Sequence, residues 1–410
     1  MKEGWRDTSI GDVCDVVNGG TPKTNVATFW GGKHMWITPA EMGRRSDPYV
    51  DTTARRLTDA GLTAANLLPA YSVILSSRAP IGHLVINSIP MATNQGCKGL
   101  VPKPSIHFKY LYYYLGSVVG LLNDLGTGAT FKELSGGKLK EVPIPLPPLS
   151  EQHRIVAILD EAFAGLATAI ANAEKNLKNA RDLFEGSVSA VFTAKGDDWI
   201  SLQIGDVATT QYGLSGTLNS DGVGYRIFRM GEVQRGAMVD SGRMKYINID
   251  RAEFESYRLR RGDILFNRTN SVDLVGKTGR FDLEGDYCFA SYLIRVTFDP
   301  EKMDSRFAAY LMNANDFLAR IRSKAARSVN QANINATILR GQKIDLPSSV
   351  QLQRKFADKF DELSSAARRL EKHYETRMLE LESLKQSILQ KAFSGELTAP
   401  PLSAIKEAAE

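Results

Sequence analysis

The chain has 410 residues, of which 43% are hydrophobic and 24% are charged, and its formal net charge is +5. This length favours two or three domains over one, and the apolar fraction is sufficient for a sizeable core. We expect no signal peptide, because no apolar stretch follows residues 1–5, and no membrane span, because no apolar run approaches the roughly 18 residues that a span needs. The three cysteines (Cys14, Cys97 and Cys288) are far apart, which fits a reducing cytoplasm and excludes both a disulfide framework and a zinc site.

The small basic excess is confined to two stretches. Lys and Arg outnumber Asp and Glu by four in residues 1–150 and by two in residues 196–346, whereas residues 151–195 have one excess acidic residue and residues 347–410 are balanced. This distribution permits binding to a polyanion, although mild basicity is weak support by itself.

The predicted elements alternate between globular stretches and long helices. Residues 1–146 contain short β-rich runs, such as 71–76, separated by Gly and Pro, and one helix is predicted over 110–122. Residues 147–196 form a long helix that begins after a proline-rich stretch, with Ser150 as its cap. Residues 197–346 repeat the first pattern, with a strand over 293–298 and a helix over 306–322. Residues 347–397 form a second long helix, with Ser348 and Gln351 in capping-box spacing, and 398–410 form a tail.

An internal duplication explains this order. Trp5 and the run Ile-Gly-Asp-Val at 10–13 recur as Trp199 and the same run at 204–207, a shift of 194. Further matches relate Arg78 to Arg268, residues 142–147 to 342–347, and residues 191–193 to 392–394. Such a repeat predicts two copies of one α+β domain, each followed by a long helix.

An apolar stripe with alternating spacings of four and three runs along the second helix, and subtraction of 201 gives the matching stripe in the first. This is the a/d pattern of a coiled coil. The first stripe contains many small residues and the second many bulky ones, so we expect the two helices to pack on each other, small against large. The alternative is that each helix packs on its own domain. The main seam positions are Ile155, Leu159, Leu166, Leu183, Phe356, Phe360, Leu363, Leu370, Leu381, Leu384 and Ile388.

Several short motifs occur in order along the chain. They are Val-Asn-Gly-Gly-Thr-Pro-Lys-Thr at 17–24, Trp-Ile-Thr at 36–38, Leu-x-x-Arg-x-x-Ile-Gly at 75–82, Pro-Leu-Pro-Pro-Leu-x-Glu-Gln-x-Arg-Ile-Val at 145–156, and Leu-Lys-Gln-Ser-Ile-Leu-x-Lys-Ala-Phe-x-Gly-Glu-Leu at 384–397. Together with the duplication, they resemble the specificity (S) subunit of type I restriction–modification systems, the HsdS family. The resemblance covers nearly the whole chain. The second copy departs from it at residues 347–352, where Pro-Ser-Ser-Val-Gln-Leu replaces Pro-Pro-Leu-x-Glu-Gln.

The resemblance implies a non-catalytic DNA-binding subunit. Each of two target-recognition domains would recognise one half of a bipartite site, and the helices would form an antiparallel intramolecular coiled coil, with pseudo-two-fold symmetry, that sets the spacer. The implied partners are double-stranded DNA, two methyltransferase subunits that modify adenine N6 with S-adenosylmethionine, and in some complexes endonuclease/translocase subunits. The chain itself would bind no cofactor and no membrane, and would be cytoplasmic.

Motifs of catalysis are missing from the sequence. The tripeptide Asp-Pro-Tyr at 47–49 lacks the second proline of an adenine methyltransferase motif. The run Gly-Lys-Thr at 276–278 lacks the upstream glycine of a P-loop, Gly-Thr-Gly at 126–128 precedes no helix pattern, and the five histidines lack metal-ligand spacing. Two rival hypotheses stay open: an enzyme with unrecognised methyltransferase or nuclease motifs, and a structural coiled-coil scaffold.

Polar and basic side chains in the two recognition domains are the candidates for DNA contact, because groove recognition uses Arg, Lys, Asn, Gln, Ser and Thr. Arg78 and Arg268 stand at equivalent places, where a DNA contact and a structural ion pair are equally supported. The sequence therefore predicts DNA-binding candidates at Thr21, Lys23, Arg44, Ser77, Arg78, Asn94, Gln95, Thr127, Lys132, Arg229, Arg243, Lys245, Arg268, Thr269, Asn270, Arg327, Asn330 and Gln331.

Overall fold

Short β-rich runs and two very long amphipathic stretches dominate the sequence, and they fold into small sheets and two long helices. The computed structural model describes residues 4–78, 80–128, 132–234, 236–328 and 331–399, with backbone alone at 327–328. The chain forms two units: Met1–Ala173 with Thr376–Glu410, and Glu174–Glu375.

The first copy of the duplicated domain is built from short strands and helices. Its strands are β1 (Arg6–Ser9), β2 (Cys14–Asn18), β3 (Trp30–Ile37), β4 (Tyr49–Val50), β5 (Arg55–Leu57), β6 (Leu67–Leu68), β7 (Val73–Ser77), β8 (Ile81–Asn87), β9 (Met91–Thr93), β10 (Cys97–Pro102) and β11 (Pro143–Leu146). Its helices are α1 (Ile10–Val13), α2 (Pro39–Met42), α3 (Asp59–Leu62), α4 (Phe108–Ser117), α5 (Val119–Leu125) and α6 (Gly136–Lys140), and the first long helix, α7 (Leu149–Ala194), follows.

Three sheets organise this copy. One has the order β2-β10-β7-β8-β4, a second has the order β5-β3-β9-β6, and β1 pairs with β11. The β1–β11 pair is antiparallel and joins the start of the domain to the residues just before α7, with Arg6 opposite Leu146. Apolar side chains of β7 and β10, such as Val73, Leu75 and Leu100, are fully buried and pack with α4 in the main core.

The second copy repeats this plan. Its strands are β12 (Trp199–Gln203), β13 (Ala208–Tyr212), β14 (Leu218–Asn219), β15 (Tyr225–Phe228), β16 (Val233–Gln234), β17 (Gly236–Met238), β18 (Lys245–Ile247), β19 (Ile264–Asn267), β20 (Thr269–Asn270), β21 (Thr278–Arg280), β22 (Tyr287–Phe289), β23 (Leu293–Phe298), β24 (Ala326–Ser328), β25 (Gln331–Asn333) and β26 (Lys343–Pro347). Its helices are α8 (Ile204–Val207), α9 (Arg251–Tyr257), α10 (Ser305–Asn313), α11 (Asn315–Ser323) and α12 (Ala336–Arg340), followed by the second long helix, α13 (Val350–Ser394).

The topology of the second copy matches that of the first at its centre. Antiparallel β13, β23 and β19 correspond to β2, β10 and β7, and the β12–β26 pair corresponds to β1–β11, with Trp199 opposite Pro347. The remaining sheets have the orders β14-β18-β15-β22 and β20-β25-β24. The prediction of tandem α+β domains, each followed by a long helix, is confirmed.

Two details of the helix prediction were wrong. Each copy has two helices where one was predicted, because the backbone leaves the helical conformation at Val118 (φ −110°, ψ 18°) and at Ala314 (φ −65°, ψ 142°). The second break follows Asn313, whose amide exchanges hydrogen bonds with the backbone of Thr278 at 3.2 and 3.0 Å. Tertiary bonds of this kind override local helix propensity.

The caps of the long helices also differ from the prediction. α7 begins at Leu149, so Ser150 lies inside its first turn. At α13, Ser349 rather than Ser348 accepts a bond from the backbone of Leu352, at 3.4 Å, and its own hydroxyl donates to Gln351 Oε1 at 2.9 Å. The backbone N–H of Ser348 instead donates to the carbonyl of Asp198.

The long helices pair in both units, with opposite chain directions. In the first unit, Ile155 and Leu159 of α7 share a core with Leu389 and Ala392 near the end of α13. In the second, Val188 shares a core with Phe360 near the start of α13. The early part of each helix therefore meets the late part of the other, as in the expected antiparallel coiled coil. Both cores also contain domain residues, so the helices pack on their domains as well.

The predicted a/d seam has two rows of positions, and the structure confirms the row that contains Leu159 and Phe360. Leu159, Leu166, Phe360 and Leu381 are buried, as are Ala173, Ala180 and Ala367, whereas Leu183, Leu370 and Leu384 are 69%, 44% and 48% exposed. The residues one position later face inward instead: Phe184 packs on a core, Glu371 is buried and the Lys385 ammonium lies 5.9 Å from the Phe163 ring.

The geometry of the α-helix explains this error. Adjacent residues differ by about 100° around a helix axis, so deciding which of two neighbouring residues faces inward requires knowledge of the partner. Both helices supply buried alanines, such as Ala180 and Ala357, and both supply bulky residues, such as Leu159 and Phe360.

One described helix, α7, contains a stretch that is apolar and long enough to cross a membrane by length and composition alone. The expectation that no stretch reaches this threshold was therefore wrong. The buried side chains of this helix, including Ile155 and Leu159, pack in a protein core with α13 and the first domain. The core helix of a protein without a membrane span has the same composition.

Candidate nucleic-acid interface

The central strand of the first copy, β7, ends at Ser77, and Arg78 follows it directly. The chain returns to this point at Glu133, which forms a bridge with Arg78 and places a carboxylate oxygen 3.8 Å from the guanidinium. Glu133 also exchanges two backbone hydrogen bonds with Thr127, at 3.0 and 2.9 Å, and the N–H of Leu134 donates to the carbonyl of Ser77. The segment that follows α5 is thereby fixed beside Arg78.

Two further loops, which contain Thr21 and Asn94, reach the same place. The Asn94 amide donates to Thr21 Oγ1 at 2.9 Å and accepts from the N–H of Gly96 at 2.7 Å. The carbonyl of Gly96 accepts from the backbone of Ser77, and a Cβ on Gly96 would lie 3.1 Å from the Nε of Arg78. The absence of a side chain at Gly96 thus lets Arg78 lie on the loop. We call Thr21, Arg78, Asn94, Thr127 and Glu133 the first arginine cluster.

The second copy has a corresponding arrangement around Arg268. Its guanidinium donates to the Ser291 carbonyl at 3.3 Å and to Asn333 Oδ1 at 3.1 Å, and its Cζ lies 4.8 Å from the centre of the Tyr212 ring. The Asn333 amide also donates to Thr269 Oγ1 at 2.9 Å. We call these five residues the second arginine cluster.

The two clusters occupy equivalent positions. Arg78 and Arg268 each follow the central strand of their copy, and Glu133 and Asn333 each end the segment after the second short helix. Each arginine therefore has a partner within its own domain, which supports the structural interpretation of these residues. Arg78 also keeps a half-exposed side chain, 36% accessible, from which it could contact a ligand.

Unused hydrogen-bonding groups lie next to both arginines. Ser77 and Asn267 are fully buried at equivalent positions, and neither the Ser77 hydroxyl nor either amide atom of Asn267 has a partner among the described residues. Buried polar groups are usually paired. Sequence reasoning missed Asn267, although its place next to Arg268 and opposite Ser77 in the repeat was visible.

The other candidates lie outside the two clusters or at their edges. Arg44 is exposed after α2, Arg229 is bound to Glu232 at 2.6 Å, and Lys245 donates to Ser220. These pairings occupy the charged groups of two of the three residues. The candidates that are exposed or partly exposed are Lys23, Gln95, Lys132, Arg243, Asn270 and Gln331. Asn330 lies outside the described residues, and only the backbone of Arg327, in β24, is described.

Three aromatic residues of the two copies, Trp30, Trp36 and Tyr212, serve packing roles. Trp36 is 2% exposed and donates to the Gly20 carbonyl at 3.0 Å, and Trp30 contacts it edge to face. The Arg55 guanidinium lies 3.5 Å from the centre of the Trp30 ring. The Tyr212 hydroxyl accepts from the backbone N–H of Ala336 at 2.8 Å.

Two sequence motifs that partly match catalytic motifs lie in structures that differ from those the catalytic motifs adopt. Gly276 and Lys277 lead into strand β21, whereas a P-loop leads into a helix. Asp47 accepts from the backbone of Tyr49 at 2.8 Å, in a turn before β4. Across residues 4–399, wherever the structure describes them, no three His, Cys, Asp or Glu side chains are grouped to hold a metal ion.

The three thiols are buried and protonated. Burial raises the pKa of each of Cys14, Cys97 and Cys288 to about 12. A thiol in this state is a poor nucleophile, because the thiolate is the reactive form.

Comparison with known families gives a match over most of the chain. The family model described as the type I restriction modification DNA specificity domain matches residues 2–178 and again residues 196–380. The two matches correspond to the two copies of the duplication.

The curated relatives that match are specificity subunits of type I restriction enzymes. The specificity subunit of the type I restriction enzyme StySPI from Salmonella potsdam is 26% identical over 421 residues, which cover 97% of this chain and 90% of that protein. The EcoKI specificity subunit of Escherichia coli (strain K12) is 25% identical over 423 residues, which also cover 97% of this chain and 90% of that protein. The MjaIX specificity subunit of Methanocaldococcus jannaschii is 36% identical over 159 residues, 38% of this chain and 37% of that relative's length.

Solved structures share the fold. A chain from the structure that describes complex assembly and conformational transition of the type I R-M system has a TM-score of 0.77 at 18% identity, and the match covers 97% of this chain and 99% of that one. The HsdS subunit of Thermoanaerobacter tengcongensis has a TM-score of 0.55 at 19% identity, over 97% and 98%. With the family model matching both copies, the chain belongs to the family of type I restriction–modification DNA specificity subunits.

Proposed function

We propose that this chain is the DNA sequence-specificity subunit of a type I restriction–modification complex. Its recognition domains, residues 1–146 and 197–346, each recognise one half of a bipartite, asymmetric DNA site. The observation that carries the proposal is the duplication itself: two equivalent domains, each matched by the specificity-domain model, each with an arginine cluster at the end of its central strand. Two related but different domains suit two different half-sites.

The helices 147–196 and 347–397 set the spacer between the half-sites. Their antiparallel pairing supports this role, because a paired helix of fixed length is a rigid spacer.

Membership of the family supports the proposed partners. The chain recruits two methyltransferase subunits that modify adenine at N6, and these use S-adenosylmethionine, so this chain needs no cofactor of its own. An endonuclease/translocase subunit joins in complexes that also cleave. The chain is not itself an enzyme, and it acts on DNA in the cytoplasm, with no membrane.

Mapping of methylated adenines tests the proposal. The chain is expressed together with its methyltransferase subunit, and N6-methyladenine is located across the host genome by single-molecule sequencing. We expect methylation at one bipartite motif, and none in a matched host that expresses the methyltransferase without this chain. Replacement of residues 197–346 by those of another family member should change one half-site and leave the other unchanged.

The two rival functions predict different results. A fused enzyme would methylate or cut DNA as the purified chain alone with S-adenosylmethionine or a metal ion. A structural scaffold would show no sequence-preferring shift of duplex DNA in a gel, with or without the methyltransferase subunit, at any salt concentration. Specific binding is expected to weaken with added salt, because phosphate contacts release counterions.

A further inference from the structure

A buried glutamine joins the first recognition domain to the first turn of α7. Gln152 is fully buried, and its side-chain oxygen accepts from the backbone N–H of His107 at 2.8 Å. Its side-chain nitrogen donates to the carbonyls of Ser105 and Pro147, at 3.0 and 2.9 Å. One side chain therefore fixes the loop before α4, the end of β11 and the helix start.

Gln353 makes the same three bonds in the second copy. It is fully buried, accepts from the N–H of Asp304 at 2.9 Å, and donates to the carbonyls of Lys302 and Pro347 at 3.1 and 2.9 Å. The junction sequence that departs from the family motif thus keeps its glutamine and the geometry around it.

An aspartate two turns later forms a second attachment in each copy. Asp160 accepts from Lys109 Nζ and from the Tyr113 hydroxyl, both at 2.6 Å. Asp361 accepts from Arg306 at 2.9 Å and from the Tyr310 hydroxyl at 2.7 Å. Burial and the Asp361 bond raise the pKa of the Tyr310 phenol, so it remains a donor.

Neighbouring helix positions differ between the copies. Glu151 and His153 of the first helix correspond to Leu352 and Arg354 of the second.

An apolar side chain of similar volume could fill the space of either glutamine. Hydrogen bonds to three separate backbone groups additionally fix direction, because their strength falls steeply with misalignment. The two attachment points, eight residues apart on each helix, prevent the domain from rotating about either one.

We infer that Gln152 with Asp160, and Gln353 with Asp361, are positioning residues that fix the angle of each recognition domain on its own helix and thereby restrict the spacer length that the subunit accepts. The inference rests on the proposed function. Gln152 and Gln353 are fully buried, and Asp160 and Asp361 bond side chains of their own domains. We therefore expect them to act on spacing through the domains and to leave the recognised bases unchanged.

Paired substitutions test this role in the full complex with the methyltransferase subunit. Gln152→Met with Gln353→Met keeps the volume and removes the six bonds to the backbone. The matched control is Gln390→Met, at an exposed position of the same helix. A second pair, Asp160→Asn with Asp361→Asn, keeps the shape and serves if the methionine pair does not fold.

The readout is the distribution of spacer lengths among methylated sites in the genome. The control should give the single spacer of the wild type. In the paired variants we expect the same two half-sites, with discrimination against spacers one base pair longer or shorter reduced by about tenfold.

If the paired variants fold and still methylate sites with the single wild-type spacer, the inference is overturned. A lower melting temperature in those variants would then mean that these side chains only stabilise the fold. Absence of any bipartite methylation with the wild-type chain is a different failure, which removes the proposed function.

Discussion

The arginine that follows the central strand of each copy has two competing interpretations, a contact with DNA and a structural contact within its own domain. The duplication located Arg78 and Arg268 from sequence alone. It could not identify their partners, because Glu133 and Asn333 lie 55 and 65 residues further along the chain and meet the arginines only through the fold. Sequence spacing gives no information about such pairs.

Substitution of these arginines should affect stability unequally. Arg268→Ala removes two hydrogen bonds and the contact with Tyr212, so we expect the free energy of unfolding to fall by about 1–3 kcal/mol. Arg78→Ala removes a longer and half-exposed ion pair, and should cost less than about 1 kcal/mol. Denaturant unfolding measures both, with exposed Arg243→Ala as the control.

The salt dependence of DNA binding then separates the roles. If the arginines position loops, the slope of log affinity against log salt stays unchanged in both variants. If the magnitude of the slope instead falls by about one unit, the substituted arginine contacts a phosphate.

A single carboxylate gives a prediction about pH. The hydrogen bond from Lys195 Nζ, at 2.7 Å, holds the pKa of Asp345 below its ordinary value of 3.8. A group with a depressed folded-state pKa contributes stability above its unfolded value and loses it as the pH falls through the folded value. Asp345→Asn should therefore lower the melting temperature near pH 7 and have no effect well below pH 3.8. A difference that persists at the acidic end would exclude the ion pair as its cause.

The lengths of the long helices were predictable at the scale of elements, and their seam was predictable only in part. A stripe without interruption by proline is sufficient to define each helix to within a few residues. The choice between Leu384 and Lys385 as an inward residue depends on the facing helix, where the Phe163 ring contacts the lysine. The breaks at Val118 and Ala314 also depend on contacts outside their helices.

Alanine substitutions on α13 test which row of the seam is buried. Leu381→Ala should lower the free energy of unfolding by about 2–5 kcal/mol, because a buried leucine leaves a cavity. Leu384→Ala should change it by less than about 0.5 kcal/mol, and so should the control Leu379→Ala, which is 74% exposed in the wild type. Equal losses at Leu381 and Leu384 would favour the seam that was predicted from sequence.

At the scale of the molecule, the duplication was visible in the sequence, but the sequence did not reveal which chain segments form each of the two units. Each unit contains one recognition domain and half of each long helix. Linear boundaries such as 146 and 346 cannot describe units of this kind, because residues 376–399 join the first unit from the far end of the chain. Antiparallel helix pairing requires this arrangement, since the late part of α13 contacts the early part of α7.

The helix pair should behave as a spacer whose length can be changed. One heptad inserted after Ala173 and another after Glu375, at the division between the units, keeps both seams in register. Each helix then lengthens by about 10 Å, which corresponds to about three base pairs of B-DNA. We expect methylated sites with the same half-sites and a spacer longer by about that amount, measured by sequencing of N6-methyladenine. A heptad inserted in α7 alone is the control and should abolish methylation, because the paired seams no longer match. If the doubly lengthened chain folds, as circular dichroism would show, and still methylates sites with the original spacer, the helices do not set the distance between half-sites.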